Sequence, residues 1–323
     1  MAAEIGLDYS ASTPINMLHA ELLIHYSFTV SIPEFDKDIE RAATKLVLKQ
    51  ALAFPWLMHE VLAISARHIA WLKGPDDAAP YRAHAAHLQT RALNLFNAES
   101  LSINASNCSA AVLFSSILGR HLLADTLATL TDGADLLVFI DHYVHYVQVH
   151  RGLRSIISNA HDLVKESEAY PLMMWSGYMR TGKENGSQLA ALRAWIQSST
   201  SSFDAESARS CGEAVEKLQG GLDDALATDA HPFRRCQVAL IWAVLCPAPF
   251  QTLLHQRCPQ ALVILAHYAV LLHYTRDIWQ VNHTGTTLLR LVVNFLGPEY
   301  KEQLEWPLAA IRNDDMVPLR YQF

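Results

Sequence analysis

The chain has 323 residues, 51% of them hydrophobic and only 18% charged, with a formal net charge of −7. That composition excludes intrinsic disorder, and a charged fraction below the roughly 25% of ordinary soluble domains means that long helices must be heavily buried. With 25 basic against 32 acidic residues and no basic run longer than a pair, nothing attracts the chain to a phosphate backbone, and direct nucleic-acid binding is not expected.

Residues 1–16 (MAAEIGLDYSASTPIN) hold two acids, no base and no apolar stretch. They read as a flexible N-terminal segment without a secretory or mitochondrial leader, so the mature chain is expected to begin near Met1. Apolar residues then recur at helical spacing over 17–31, with Pro33 beyond, and over 34–53, ending at Phe54-Pro55. A third helix is expected over 56–73, closed by Gly74-Pro75. A fourth runs to about Glu99, with Asp76 or Asp77 as its cap and Pro80 in its opening turn. Two long helices follow over 107–130 and 134–158, separated by Asp132-Gly133. The stretches 180–188 (RTGKENGSQ) and 197–202 (QSSTSS) collect flexible polar residues, and 180–188 is expected to be a mobile loop. Helices over 233–245, 249–256, 259–281 and 284–296 come next, and Trp306-Pro307 opens the last.

No alternating strand pattern and no internal repeat interrupts this series. The fold class is therefore all-α: one large domain over 17–323, built of about a dozen antiparallel helices joined by short turns around an apolar pocket. The longest apolar runs, 238–246 and 261–272, fall short of the roughly 18 residues of a membrane span and read as core helices. The five cysteines, Cys108, Cys211, Cys236, Cys246 and Cys258, form no close pair. They suit a reduced intracellular, cytoplasmic setting as small core fillers.

Chemistry-bearing residues are scattered. Sixteen histidines include the helical pairs His84 with His87 and His142 with His145, and His59 with His68 further along one helix. No third ligand at metal-site spacing accompanies them, so no metal is expected. His59, His121, His145 and His273, polar groups on otherwise apolar helices, are the candidate catalytic acid–base residues. The segment YPLMMWSGYM (170–179) joins thioether and aromatic groups beside the flexible loop. Met174, Trp175 and Tyr178 from it, with Trp242, are the candidate substrate-binding residues. Phe250, His267, Tyr268, Tyr274 and Trp279 add apolar rings with polar tips. GxSxG, GxGxxG, P-loop and CxxC motifs are absent, and no cofactor is indicated.

The segment LAFPWLMHEVLAISARHIAWLK (52–73) resembles a signature of the C-terminal regulatory domain of fungal zinc-cluster transcription factors of the sterol uptake control type. YRAHAAHLQTRALNLF (81–96), VHRGLRSII (149–157) and elements within 259–307 resemble further parts of that domain in the same order, covering roughly residues 17–310. The resemblance implies an all-helical domain with a deep apolar pocket, which in the sterol regulators takes ergosterol. The six-cysteine zinc cluster and basic linker of those regulators have no counterpart here. A pocket without its DNA reader suggests a cofactor-free enzyme of fungal secondary metabolism. Such an enzyme would fold an apolar terpenoid- or sterol-like substrate for cyclisation, pericyclic cycloaddition or isomerisation, as a Diels-Alderase-type pericyclase does. The alternative is a non-catalytic, lipid-sensing regulatory domain, nuclear in location, that acts through a DNA-binding partner or as a homodimer.

Overall fold

The computed structural model describes residues 15–30, 35, 37–98, 103–178, 186–198, 204–226 and 232–314, with the side chains at 75, 76, 156, 175–178, 232–236 and 314 left out of the description. Every regular element among these residues is helical. The first half comprises α1 (Met17–Phe28), α2 (Lys37–Ala53), α3 (Pro55–Leu72), α4 (Pro75–Ala98), α5 (Cys108–Leu127), α6 (Leu136–Ser158) and the short α7 (His161–Lys165). The second comprises α8 (Tyr170–Tyr178), α9 (Ala190–Ser198), α10 (Ala205–Leu226), α11 (Pro232–Leu245), α12 (Ala248–His255), α13 (Pro259–Tyr274), α14 (Thr284–Leu296) and α15 (Lys301–Asp314).

The punctuation of the chain explains most of these boundaries. Asn16 accepts from the His19 N–H at 3.1 Å and caps α1, and Asp135 accepts from the Leu137 N–H at 2.7 Å and caps α6. Pro55, Pro75 and Pro259 stand in the first turns of their helices, where a missing N–H costs nothing. Gly133 and Gly297 take positive φ values of 85° and 70°, which only glycine adopts without strain, and they separate α5 from α6 and end α14.

Three helices differ from expectation in a boundary. Gly74, rather than Asp76 or Asp77, sits at the cap of α4, its carbonyl accepting from the N–H groups of Asp77 and Ala78. Pro80 lies inside that helix. α13 stops at Tyr274 instead of running to 281, because the Thr275 hydroxyl donates back to the Leu271 carbonyl at 3.0 Å and the backbone turns there. α15 begins at Lys301 and carries Pro307 within it, so Trp306-Pro307 is not a start.

α3 shows how so apolar a sequence folds without stranding its polar groups. It is buried on nearly every side, yet it carries Glu60, Ser65, Arg67 and His68 in its buried stretch. Ser65 Oγ donates to the Leu22 carbonyl at 2.6 Å, tying α3 to α1. Arg67 Nε pairs with Asp125 Oδ1 at 2.6 Å on α5. His68 Nδ1 lies 2.9 Å from His25 Nε2, one ring nitrogen donating to the other. Pairing of this kind holds down the cost of burying polar groups, about 1–3 kcal/mol for each one left alone.

The core divides into two large clusters and one small one. Trp56, Phe96 and Phe114 pack ring on ring in the cluster of α2–α5. The larger cluster gathers α6 and α9–α15 around α13, which is buried from Ala261 to His273. The small one joins α1, α3 and α4. Gly285 lets α14 lie directly on α13: an added Cβ there would stand 2.5 Å from the Ala269 carbonyl oxygen and 2.6 Å from the His273 nitrogen. Among the described residues α5 is the one helix long and apolar enough to cross a membrane, and 72% of its apolar window is buried inside the fold.

Candidate functional site

A cavity of about 280 Å³ opens between the two large core clusters. α5 supplies Val112, Leu113, Ile117, Gly119 and Arg120. α6 adds His150, Arg154 and Ile157, while α8 contributes Leu172 and Met173 and α11 contributes Gln237, Leu240 and Ile241. Tyr26, Val47 and Ile64 close it from α1–α3, and Gln280 enters from the turn after α13. Aliphatic side chains make most of the wall. A few polar groups interrupt it, a composition common to small-molecule sites.

The polar groups gather where α5 crosses α6. Gly119 makes that crossing possible, since an added Cβ would stand 2.5 Å from His150 Cε1. The ring of His150 therefore lies against the α5 backbone beside Arg120, with Arg154 one turn further along α6. His150 is 8% exposed and its Nδ1 has no hydrogen-bond partner among the described residues. Burial, reinforced by the Arg154 charge, pulls its pKa down to about 4, so the ring is neutral at physiological pH. Gln280 is 3% exposed, and both its amide oxygen and its amide nitrogen are unpartnered among the described residues. Burial lowers the Arg154 pKa, against the opposing influence of the Tyr146 phenol.

α11 is held in place as one wall by side chains of other helices. Tyr146 donates to the Leu240 carbonyl at 3.0 Å and Tyr268 to the Ala239 carbonyl at 2.6 Å. Arg151 donates from Nε to the Val244 carbonyl and from Nη2 to the Ala243 carbonyl, both at 3.3 Å, placing a cation at the C-terminal end of α11 where the helix dipole favours it.

The candidate acid–base histidines do not converge. His59 donates from Nδ1 to the Pro55 carbonyl at 2.7 Å within its own helix. His145 is exposed on α6. His273 is buried on α13, with Nδ1 3.3 Å from Thr286 Oγ1. His121 forms a wholly buried pair with Glu60, Nδ1 to Oε1 at 2.9 Å, and its Nε2 lies 3.6 Å from Asp125 Oδ2. Burial works against charge on His121, but the Glu60 and Asp125 carboxylates outweigh it and raise its pKa; burial also raises that of Glu60. None of these four residues is among the groups lining the cavity.

The candidate substrate-binding residues divide as well. Met174 is 47% exposed and is absent from the lining, whereas its neighbours Leu172 and Met173 line the cavity. The side chains of Trp175 and Tyr178 lie outside the described residues, as do residues 180–185 of the expected mobile loop. Trp242 is fully buried in the larger core cluster, donates from Nε1 to the Ala214 carbonyl at 3.0 Å and stacks on Tyr268. It is core and is absent from the cavity wall.

Of the paired histidines, His68 meets His25 rather than His59. Among the described residues no three His, Cys, Asp or Glu side chains come together as a metal site would require. Sequence reasoning missed His150, Arg120, Arg154 and Gln280. The available signal was the Gly119-Arg120 pair in the middle of an otherwise apolar twenty-residue helix, where a glycine and a cation both run against the pattern.

Comparison with known proteins gave no match: no family model, no curated protein and no solved structure corresponds to this chain.

Proposed function

We propose that the chain binds one apolar, terpenoid-like small molecule in the cavity between α5, α6 and α11 and, as a cofactor-independent enzyme, promotes its cyclisation, cycloaddition or isomerisation. The observation that carries this reading is the conjunction, at one aliphatic cavity, of His150 and Gln280, both buried and both with unpartnered polar atoms. Each such atom costs about 1–3 kcal/mol, and that cost is offset when a ligand supplies the missing hydrogen bond. Walls of this shape would hold a flexible substrate in one folded conformer, and the neutral imidazole, the amide and the guanidinium groups would polarise one of its oxygens.

The volume narrows the substrate. About 280 Å³ lies at the lower edge of the roughly 300–1,000 Å³ of small-molecule sites, which favours a compact terpenoid over a complete sterol. With this proposal goes an arrangement of antiparallel helices around the cavity and kinship with the pocket domain of the sterol-type regulators.

One observation favours a second reading, in which the bound ligand is sensed and released unchanged, with the output passed to a DNA-binding partner or a second copy. The Glu60–His121 pair is sealed away from the cavity lining, leaving His150 as the sole imidazole or carboxyl side chain there among the described residues. Incubating the purified chain with linear isoprenoid and polyene precursors, then analysing them by mass spectrometry, separates the readings. Accelerated product formation supports the enzyme, stoichiometric retention of unchanged ligand supports the sensor, and absence of any retention overturns both.

A further inference from the structure

The Arg154 guanidinium at the α5–α6 crossing says what kind of polar head the ligand carries. Arg154 lines the cavity, and among the described lining residues there is no Asp or Glu. Arg154 makes no hydrogen bond or ion pair among the described residues, although it is half-buried one turn along α6 from the buried His150. A guanidinium withdrawn from water without a carboxylate is an electrostatic demand, and its planar fork is shaped for two parallel bonds to a carboxylate. Gln280 lines the same cavity and its unpartnered amide nitrogen is a further donor, and the neutral ring of His150 offers an N–H as well. Donors of this number, with no competing acid, suit an anion better than a hydroxyl, which also brings a proton of its own.

We infer that the ligand of this cavity is an apolar carboxylic acid whose carboxylate is held by Arg154, with Gln280 and His150 beside it, while its hydrocarbon body lies along the aliphatic walls of α5 and α11. This rests on the cavity being a binding site, and it adds the chemical class of what binds. A tail without the carboxylate would leave Arg154 half-buried and unpaired; a carboxylate without the tail would leave the aliphatic walls unfilled.

The test compares two probes of one length, farnesoic acid and farnesol, titrated calorimetrically into the full chain. A charge-assisted hydrogen bond predicts that the acid binds about ten- to a hundredfold more tightly than the alcohol. Arg154→Gln should weaken the acid by at least about tenfold and leave the alcohol within about twofold, because the fork and not the wall is removed. Arg154→Lys, which keeps the charge and the bulk, should fall between them and serves where the glutamine variant folds poorly. Equal affinity of acid and alcohol for the wild-type chain overturns the carboxylate inference and leaves the cavity as a binding site. Failure of both probes to bind overturns the cavity reading and the inference with it.

Discussion

A His121→Leu substitution strips the partner from Glu60 inside the fold and leaves a carboxyl group with nowhere to go. His121 Nδ1 and Glu60 Oε1 are 2.9 Å apart and both side chains are wholly shielded from solvent. With charge centres roughly 4 Å apart and an effective dielectric constant near 20, their attraction is about 4 kcal/mol. Removing one member of such a pair costs about 3–5 kcal/mol, chiefly because the survivor stays buried and unpaired. His121→Leu and Glu60→Leu should each lower the unfolding free energy by about that much, whereas the double variant should lose less than either single one. Urea denaturation followed by far-UV circular dichroism gives the three values needed. A double variant whose loss equals the sum of the two single losses refutes the coupling. The same double variant separates structure from chemistry: absent from the cavity wall, the pair should be dispensable for ligand binding once the fold is intact.

Other expectations follow from close approaches and from burial. Gly285→Ala drives a methyl into the α13 backbone and should cost about 1–3 kcal/mol by overpacking. Gly212→Ala and Gly220→Ala in α10, where an added Cβ meets nothing within 4 Å, should instead gain up to about 1 kcal/mol from helix propensity; thermal melts of the three variants check the order. Gly119→Ala displaces the His150 ring from α5 and should weaken ligand affinity more than stability, as titration of both variant and wild type would show. His267 has its pKa pulled down from 6.5 to about 4 by burial, against the opposing hydrogen bond to Val263. Its unfolded form therefore takes up a proton first, and stability that is present above about pH 6.5 falls as the pH drops toward 4, by on the order of 3 kcal/mol. His68 and His150, lowered in the same direction by burial, act in the same window. Replacing His267 with phenylalanine should flatten that part of a stability-against-pH curve, and an unchanged slope would show that its protonation plays no part.

The all-helical architecture was readable because local punctuation agrees with the fold. Asn16, Asp135, Gly133 and the first-turn prolines each solve a problem that arises within a few residues of themselves. Where a boundary depends on one hydroxyl turning back on its own helix, as Thr275 does, the apolar pattern runs past it and a sequence reading overshoots. The site was much less legible. Conspicuous residue types, paired histidines and an aromatic and methionine cluster, drew attention to side chains that the fold uses for bonds within a helix, for core packing or on its surface. Trp242 and His59 are satisfied by carbonyls of the protein itself. The cavity wall is assembled from ordinary aliphatic residues of several helices far apart in sequence, and its polar end from His150 and Arg154, one turn apart on α6, and Gln280, which reaches the cavity from the turn after α13 through tertiary packing. Only the glycine and arginine inside α5 broke a local rule strongly enough to mark the place.

Ligand occupancy of the cavity is the most direct measurement of the central claim. Ile241, half-buried on α11, lines the cavity, and Ile241→Trp would fill much of it. Calorimetric titration of the wild-type chain with farnesoic acid should show one site per chain, and the variant should melt at nearly the wild-type temperature while showing no binding. Equal binding by the two proteins would place the ligand elsewhere and contradict the account.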